Sequence, residues 1–233
     1  MPITALRQTN ILIVNEVERL LNIDTSSTLS SRQFTRVLLR LLNEVIDELA
    51  DYGDWQELYD EILVTASIST NEYEVHASGG LVQHIEEISF SSSKSPLEVR
   101  TREDLRRLLR GTITRGVPRQ MAVIGVNASS GNPLFRVYPE PGSAQNNQTF
   151  RVCYYIKPAL VTTTDTSVQS IFPANLLIKG LYAKALLEEN GGEPTNEYRV
   201  VYAEYVRERD ESYRRFTADT GTDVYLVPSG SRM

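Results

Sequence analysis

The chain is short of the residues that most catalysis and cross-linking require. Its 233 residues include one cysteine, two histidines and one tryptophan. A lone cysteine, Cys153, excludes an internal disulfide and fits a reducing compartment. Long apolar runs are missing too. The longest purely aliphatic stretch, Ile11-Leu12-Ile13-Val14, falls far below the ~20 residues a membrane helix needs. Met1-Pro2-Ile3-Thr4 has neither the basic nor the apolar region of a secretory signal, so Asn127-Ala128-Ser129 and Asn147-Gln148-Thr149 read as chance matches to the glycosylation pattern. Positive charge is in deficit: 24 Lys+Arg face 30 Asp+Glu, a net charge of −6. That balance argues against a sequence-independent grip on DNA, which needs clustered cations to release counterions.

What is present suits a folded chain, with 41% hydrophobic and 23% charged residues. Leu6, Asn10, Ile13, Val17, Leu20 and Leu21 recur at helical spacing and predict a helix over 4–23. Asp24 to Thr28 is loop chemistry, because short polar side chains compete for backbone hydrogen bonds. A second helix follows, with Ser30 and Gln33 as a capping box and an apolar stripe running from Phe34 to Leu49. Gly53 is its predicted stop, and Trp55 its staple onto the next layer.

From Ile62 the period falls to two. Strands are predicted over 61–69, 72–75, 81–90, 120–126, 134–138 and 149–156. Gly131-Asn132-Pro133 and Pro139-Glu140-Pro141-Gly142 read as turns between them. A short helix is expected after Thr101, which can cap it, with Leu105, Leu108 and Leu109 facing inward. Phe172-Pro173 opens another helix, whose Gly180 and Ala183 imply close approach of a neighbouring helix, and Asn190-Gly191-Gly192 ends it. Pro194 then starts a long helix to about Phe216, with Tyr198, Tyr202 and Tyr205 read as a core face. The expected fold class is α+β. Residues 1–60 and 172–216 form a helical bundle, 61–171 a β-rich, sandwich-like insertion, and 217–233 an extended tail.

No enzyme signature emerges. The chain lacks a Gly-x-Ser-x-Gly elbow, a phosphate-cradling Gly-x-x-x-x-Gly-Lys loop and a dinucleotide-binding Gly-x-Gly-x-x-Gly loop. His76 and His84 could meet across the Gly79-Gly80 break, with Glu74 or Glu86 joining them on a metal, but packed or solvated histidines are the simpler reading. Glu86 and Glu87 occupy successive strand positions and should face opposite sides, which suits paired acid–base work badly. Cys153 lies in an alternating strand and reads as a packed thiol. The expectation is no catalytic residue, no cofactor and no metal. Arg106, Arg107 and Arg110 beside Glu103 and Asp104, and Arg207 to Arg215 among Glu208, Asp210 and Glu211, read as salt-bridged faces or contacts with another subunit. The 12 tyrosines against 6 phenylalanines add interface use as a rival to core packing.

One set of ordered motifs carries a resemblance. It comprises Arg40-Leu41-Leu42-Asn43-Glu44-Val45 followed by Trp55, then Gly116-Val117-Pro118-Arg119, then Leu134-Phe135-Arg136-Val137-Tyr138-Pro139-Glu140-Pro141. Tyr154-Tyr155-Ile156-Lys157-Pro158-Ala159-Leu160 and Ile171-Phe172-Pro173-Ala174 complete it. In this order they resemble the head-to-tail adaptor, or connector, proteins of tailed bacteriophages, the short-tailed type above all. The resemblance implies a structural protein of the virion neck, assembled in the host cytoplasm, in a homo-oligomeric ring commonly of twelve copies below the portal. It implies portal protein and tail or nozzle proteins as partners. Genomic DNA would pass through without sequence-specific binding, and no membrane would be involved. It also implies a tail that reaches into the portal, here with Val224, Tyr225, Leu226, Val227 and Pro228 as the portal-binding patch. Rival readings are another neck or tail part (a stopper or tail-tube protein), a cell-wall glycan hydrolase using Glu86 or Glu87, and a ligand-binding β module.

Overall fold

A computed structural model describes residues 7–77, 80–93, 95–111 and 114–219. The chain is α+β and separates into two compact units: residues 1–57 with 160–233, and residues 58–159.

The first unit is helical. It contains α1 (Asn10–Leu20), α2 (Gln33–Tyr52), α4 (Ala174–Glu189) and α5 (Asn196–Asp219). Helix α1 begins later than the periodicity predicts. Thr9 is extended and bridges Gln169, and Ser170 N–H donates to the Gln8 carbonyl at 2.9 Å. A β-type contact with a segment ~160 residues away in sequence claims this backbone, and local pattern cannot report such a pairing. Helix α2 starts at Gln33 without a side-chain cap, so the expected capping box does not form.

A buried carboxylate organises that corner instead. Glu18 of α1 has no exposed surface. Its Oε2 accepts from Ser26 N–H at 2.8 Å, and its Oε1 accepts from the hydroxyls of Ser26 (2.8 Å) and Thr35 (2.7 Å). Helix α1, the connecting loop and the first turn of α2 thus share one acceptor. Three donors converge on a single group within a wider network, in which Ser26 N–H also donates to Asn15 Oδ1 at 3.1 Å and the Ser26 and Thr35 hydroxyls lie 2.7 Å apart.

The apolar stripe of α2 is read correctly from sequence. Leu38, Leu42, Val45 and Leu49 are fully buried. Gly180 shows how closely the helices approach: a Cβ there would stand 2.8 Å from Tyr205 Cε2 and 2.8 Å from Val45 Cγ1. Trp55 is fully buried, with its ring centroid 5.4 Å from Phe172 and 5.3 Å from Tyr213, and its indole N–H donates to the Leu49 carbonyl at 2.6 Å. Beyond the β-rich segment, Asn43 clamps the returning chain, its amide exchanging hydrogen bonds with Val161 (Nδ2 to O at 3.0 Å, N to Oδ1 at 2.7 Å). Of the predicted tyrosine face only Tyr205 is buried. Tyr198 and Tyr202 stack on each other (5.5 Å, 16°), and Tyr202 remains 39% exposed.

The second unit holds β1 (Tyr59–Thr65), β2 (Glu72–Glu74), β3 (Gly80–Phe90), β4 (Glu98–Val99), α3 (Arg102–Leu109), β5 (Arg115–Gly116), β6 (Gln120–Val126), β7 (Pro133–Tyr138), β8 (Glu140–Pro141) and β9 (Thr149–Pro158). One sheet runs β1-β9-β3 and another β2-β7-β6-β4, while β5 and β8 pair separately. The predicted turn at 139–142 is therefore partly strand: Glu140-Pro141 pairs in parallel with Arg115-Gly116. Proline and glycine suggested a turn, but an edge position tolerates the missing donor. Phe150 of β9 is the hub of the core, 4.9 Å from Phe90, 5.6 Å from Phe135 and 4.9 Å from Tyr73. Side chains from the two larger sheets meet there.

Two stability outcomes follow. Glu18→Ala removes the acceptor that three buried donors share and should lower unfolding free energy by about 1–3 kcal/mol, measured by urea denaturation, with Asn15 and the Ser26–Thr35 hydroxyl pair keeping the loss from being larger. Gly180→Ala would stabilise an exposed helix; here it should destabilise by about 1–3 kcal/mol, because both neighbouring atoms belong to packed side chains. A Gly180→Ala chain as stable as the parent would show that α4 is looser than described.

Candidate functional site

The expected portal-binding residues, Val224 to Pro228, lie outside the described residues. The remaining candidates can be placed. His76 follows β2, in the four-stranded sheet, whereas His84 sits on β3 in the three-stranded one. They belong to different sheets, so the hairpin that would pair them on a metal is not made. His84 stacks on Tyr155 at 4.9 Å, and His76 Nδ1 lies 3.1 Å from Asn132 Nδ2. Among the described residues no group of three or more His, Cys, Asp or Glu side chains could hold a metal ion.

Strand β3 is bulged between Ile85 and Glu87, which leaves Glu86 without a partner in the ladder and Glu87 opposite Cys153. The alternation that should send the two glutamates to opposite faces is broken at that point. Cys153 is buried, as expected of a packed thiol. The neighbouring Tyr59 phenol is pushed up by its hydrogen bond with this thiol and by burial.

One carboxylate is strongly perturbed, and its partners explain why. Glu74 of β2 accepts from the Ser130 hydroxyl, from Asn132 Nδ2 at 2.9 Å and from Asn127 Nδ2 at 2.7 Å. These bonds, Ser130 first, hold its pKa down to about 2. Such a group stays ionised at neutral pH and cannot serve as a general acid. Its part is to pin the β6–β7 connection (127–132) to β2.

The arginine clusters differ from each other. On α5 Arg209 is tied into the bundle. The Arg209 guanidinium lies 3.9 Å over the Tyr52 ring and 3.1 Å from Asp210, and Lys179 meets Glu208 at 3.2 Å. On α3 the expected salt-bridged face is nearly absent. Thr101 Oγ1 accepts from Asp104 N–H at 3.1 Å and donates to its carboxylate at 2.7 Å, so Asp104 closes the helix start as predicted. It reaches Arg107 only at 3.9 Å. Arg102, Arg106 and Arg110 are exposed and have no carboxylate within ion-pair distance among the described residues. Beside them opens a cleft of about 390 Å³, lined by Arg100, Asp104, Arg107, Leu108 and Gln120. The spacing of arginines was visible in the sequence. Their lack of partners was not, because it depends on Asp104 turning back to cap.

The assembled features define an α+β protein whose notable surfaces are charged faces and whose candidate catalytic groups do not converge. Among the described residues no helix is long and apolar enough to cross a membrane. The family described as SU10 adaptor protein matches residues 12–229, a span that includes both units, and the chain belongs to that family. It is a phage adaptor with a structural rather than an enzymatic role. No curated protein matches the chain.

The Glu74 cluster makes a pH prediction. Its pKa is lowered in the folded chain relative to the usual value near 4.5, so its contribution to stability is full above that value and fades as pH falls toward 2. Unfolding measured across this window should steepen in the parent and flatten in Glu74→Gln. Equal pH slopes in the two chains would remove the assigned role.

Proposed function

We propose that the chain is the head-to-tail adaptor of a short-tailed phage. It forms a ring below the portal, joins the capsid to the tail, and lets genomic DNA pass. The family match over 12–229 is the observation that carries this reading. The virion neck is then its location, and portal and tail or nozzle proteins are its partners. A ring of identical copies closes through heterologous contacts, each using two different surfaces of the same chain. The proposed copy number is twelve.

The charge distribution supports a conduit. The helical unit, residues 1–57 and 160–233, carries 13 Lys+Arg and 20 Asp+Glu, a net charge of −7. A channel walled by such a surface repels phosphate and lets duplex slide rather than stick. Residues 217–233 are the proposed portal-docking tail, with Val224, Tyr225, Leu226, Val227 and Pro228 as its anchor. A short apolar segment can gain main-chain hydrogen bonds and burial on docking, which offset the entropy of ordering it. Free chains associate weakly at physiological salt, so the ring closes on the portal.

The test is truncation. A chain ending at Phe216 should retain its circular dichroism spectrum and lose capture by immobilised portal rings. Undiminished capture would place the portal contact elsewhere. A chain that neither captures portal at full length nor occurs in purified necks would sink the adaptor reading itself.

A further inference from the structure

The adaptor reading leaves open which surfaces meet when one copy sits beside the next. Two patches of opposite sign stand out. Residues 100–110 hold five arginines against Glu103 and Asp104, a net charge of +3, and the Arg side chains are exposed; Arg100 is shared with Glu98 at 2.8 Å, and Arg102, Arg106 and Arg110 are the unpaired ones. The cleft beside them adds apolar surface: Leu108 is 38% exposed, and Val99 of β4, next to Arg100, is 68% exposed. The second patch is the α4–α5 corner. Residues 188–204 hold Glu188, Glu189, Glu193, Glu197 and Glu204 against Arg199 alone, a net charge of −4. All five glutamates are exposed. Glu188 is shared with Arg40 at 2.8 Å, and Glu197 accepts from the Tyr182 hydroxyl at 2.7 Å. Glu189, Glu193 and Glu204 have no cation within ion-pair distance among the described residues. The corner also carries the stacked Tyr198–Tyr202 pair, with Tyr202 partly open.

We propose that the α3 arginine face of one copy seats the acidic, tyrosine-bearing α4–α5 corner of a second copy. This rests on the adaptor reading and says how the ring is joined. The chemistry matches on three counts. Unpaired guanidinium groups meet unpaired carboxylates and gain fork-shaped hydrogen bonds. Exposed tyrosine rings offer faces on which arginine stacks. Leu108 lines the cleft and gives the seat an apolar contact that a phosphate backbone would not use. The patches differ and lie on one chain, which a heterologous, head-to-tail contact requires.

Charge exchange tests this with intact chains. One variant carries Arg106→Glu and Arg107→Glu; the other carries Glu189→Arg and Glu193→Arg. All four positions are exposed, so both variants should fold, checked by circular dichroism. Self-association is followed by sedimentation velocity at high protein concentration and low salt. The unmodified chain should associate, and added salt should dissociate it. Each variant alone should associate about ten-fold or more weakly, because the arginine patch falls from +3 to −1 in the first variant and the acidic corner from −4 to 0 in the second, so neither keeps the attraction of the parent. An equimolar mixture should recover in part, since the unaltered arginine patch of the second variant (+3) meets the unaltered corner of the first (−4), and in the other contact the exchanged residues face each other with their signs reversed. A variant that associates like the parent, a mixture that does not recover, or a parent that stays monomeric throughout overturns the proposal. Loss of duplex-DNA binding in the arginine variant, with self-association unchanged, overturns it in favour of a nucleic-acid partner. Portal capture is measured on the same samples: failed recovery with capture intact removes this contact and leaves the adaptor reading standing.

Discussion

A carboxylate sealed from water holds the amino-terminal part of the molecule in place. Glu18 is expensive to bury, and it is tolerated because Ser26 and Thr35 surround it with three donors. The loop between α1 and α2 is therefore not slack. It is folded back onto α1, and α2 starts where Thr35 can reach the same oxygen. The orientation of α2 fixes the apolar stripe against which α4 and α5 pack. The close approach at Gly180, the burial of Tyr205 and the aromatic cluster around Trp55 all depend on that stripe facing inward.

Much of this was visible in the order of residues, for an identifiable reason. Helix α2 and strand β7 obey simple periods because each buries one face against a single neighbouring layer. The Thr101 cap was visible because its partner is three residues away. The failures are long-range. Thr9 bridges Gln169, and Glu140-Pro141 pairs with Arg115-Gly116. In each case a partner far along the chain claims backbone or side chain that local rules had assigned otherwise. The tyrosines show the same limit: a repeat of three and four residues marks a face but does not say whether another element covers it, and Tyr198 and Tyr202 cover each other.

For the candidate site the balance reverses. The groups that looked most like chemistry, His76, His84, Glu86, Glu87 and Cys153, are occupied by stacking, a bulge or packing. The surface that stands out is one read either as a salt-bridged face or as a contact with another subunit. Alternating signs on α3 suggested internal ion pairs, yet Asp104 serves the helix end and most of the arginines remain uncommitted. Charge counted along a sequence is not charge neutralised in space, and the difference depends on rotamers and caps.

The strands that begin and end the β-rich unit run side by side. Tyr59, at the start of β1, is paired with Tyr155, near the end of β9. The chain thus enters and leaves this unit through adjacent strands of one sheet, a few ångströms apart. A segment joined in that way is interchangeable: recombination could exchange the whole of 58–159 for a different module at two peptide junctions of fixed spacing, without altering the connectivity of the helices. Such lineages would diversify in the module while inheriting the helical frame unchanged.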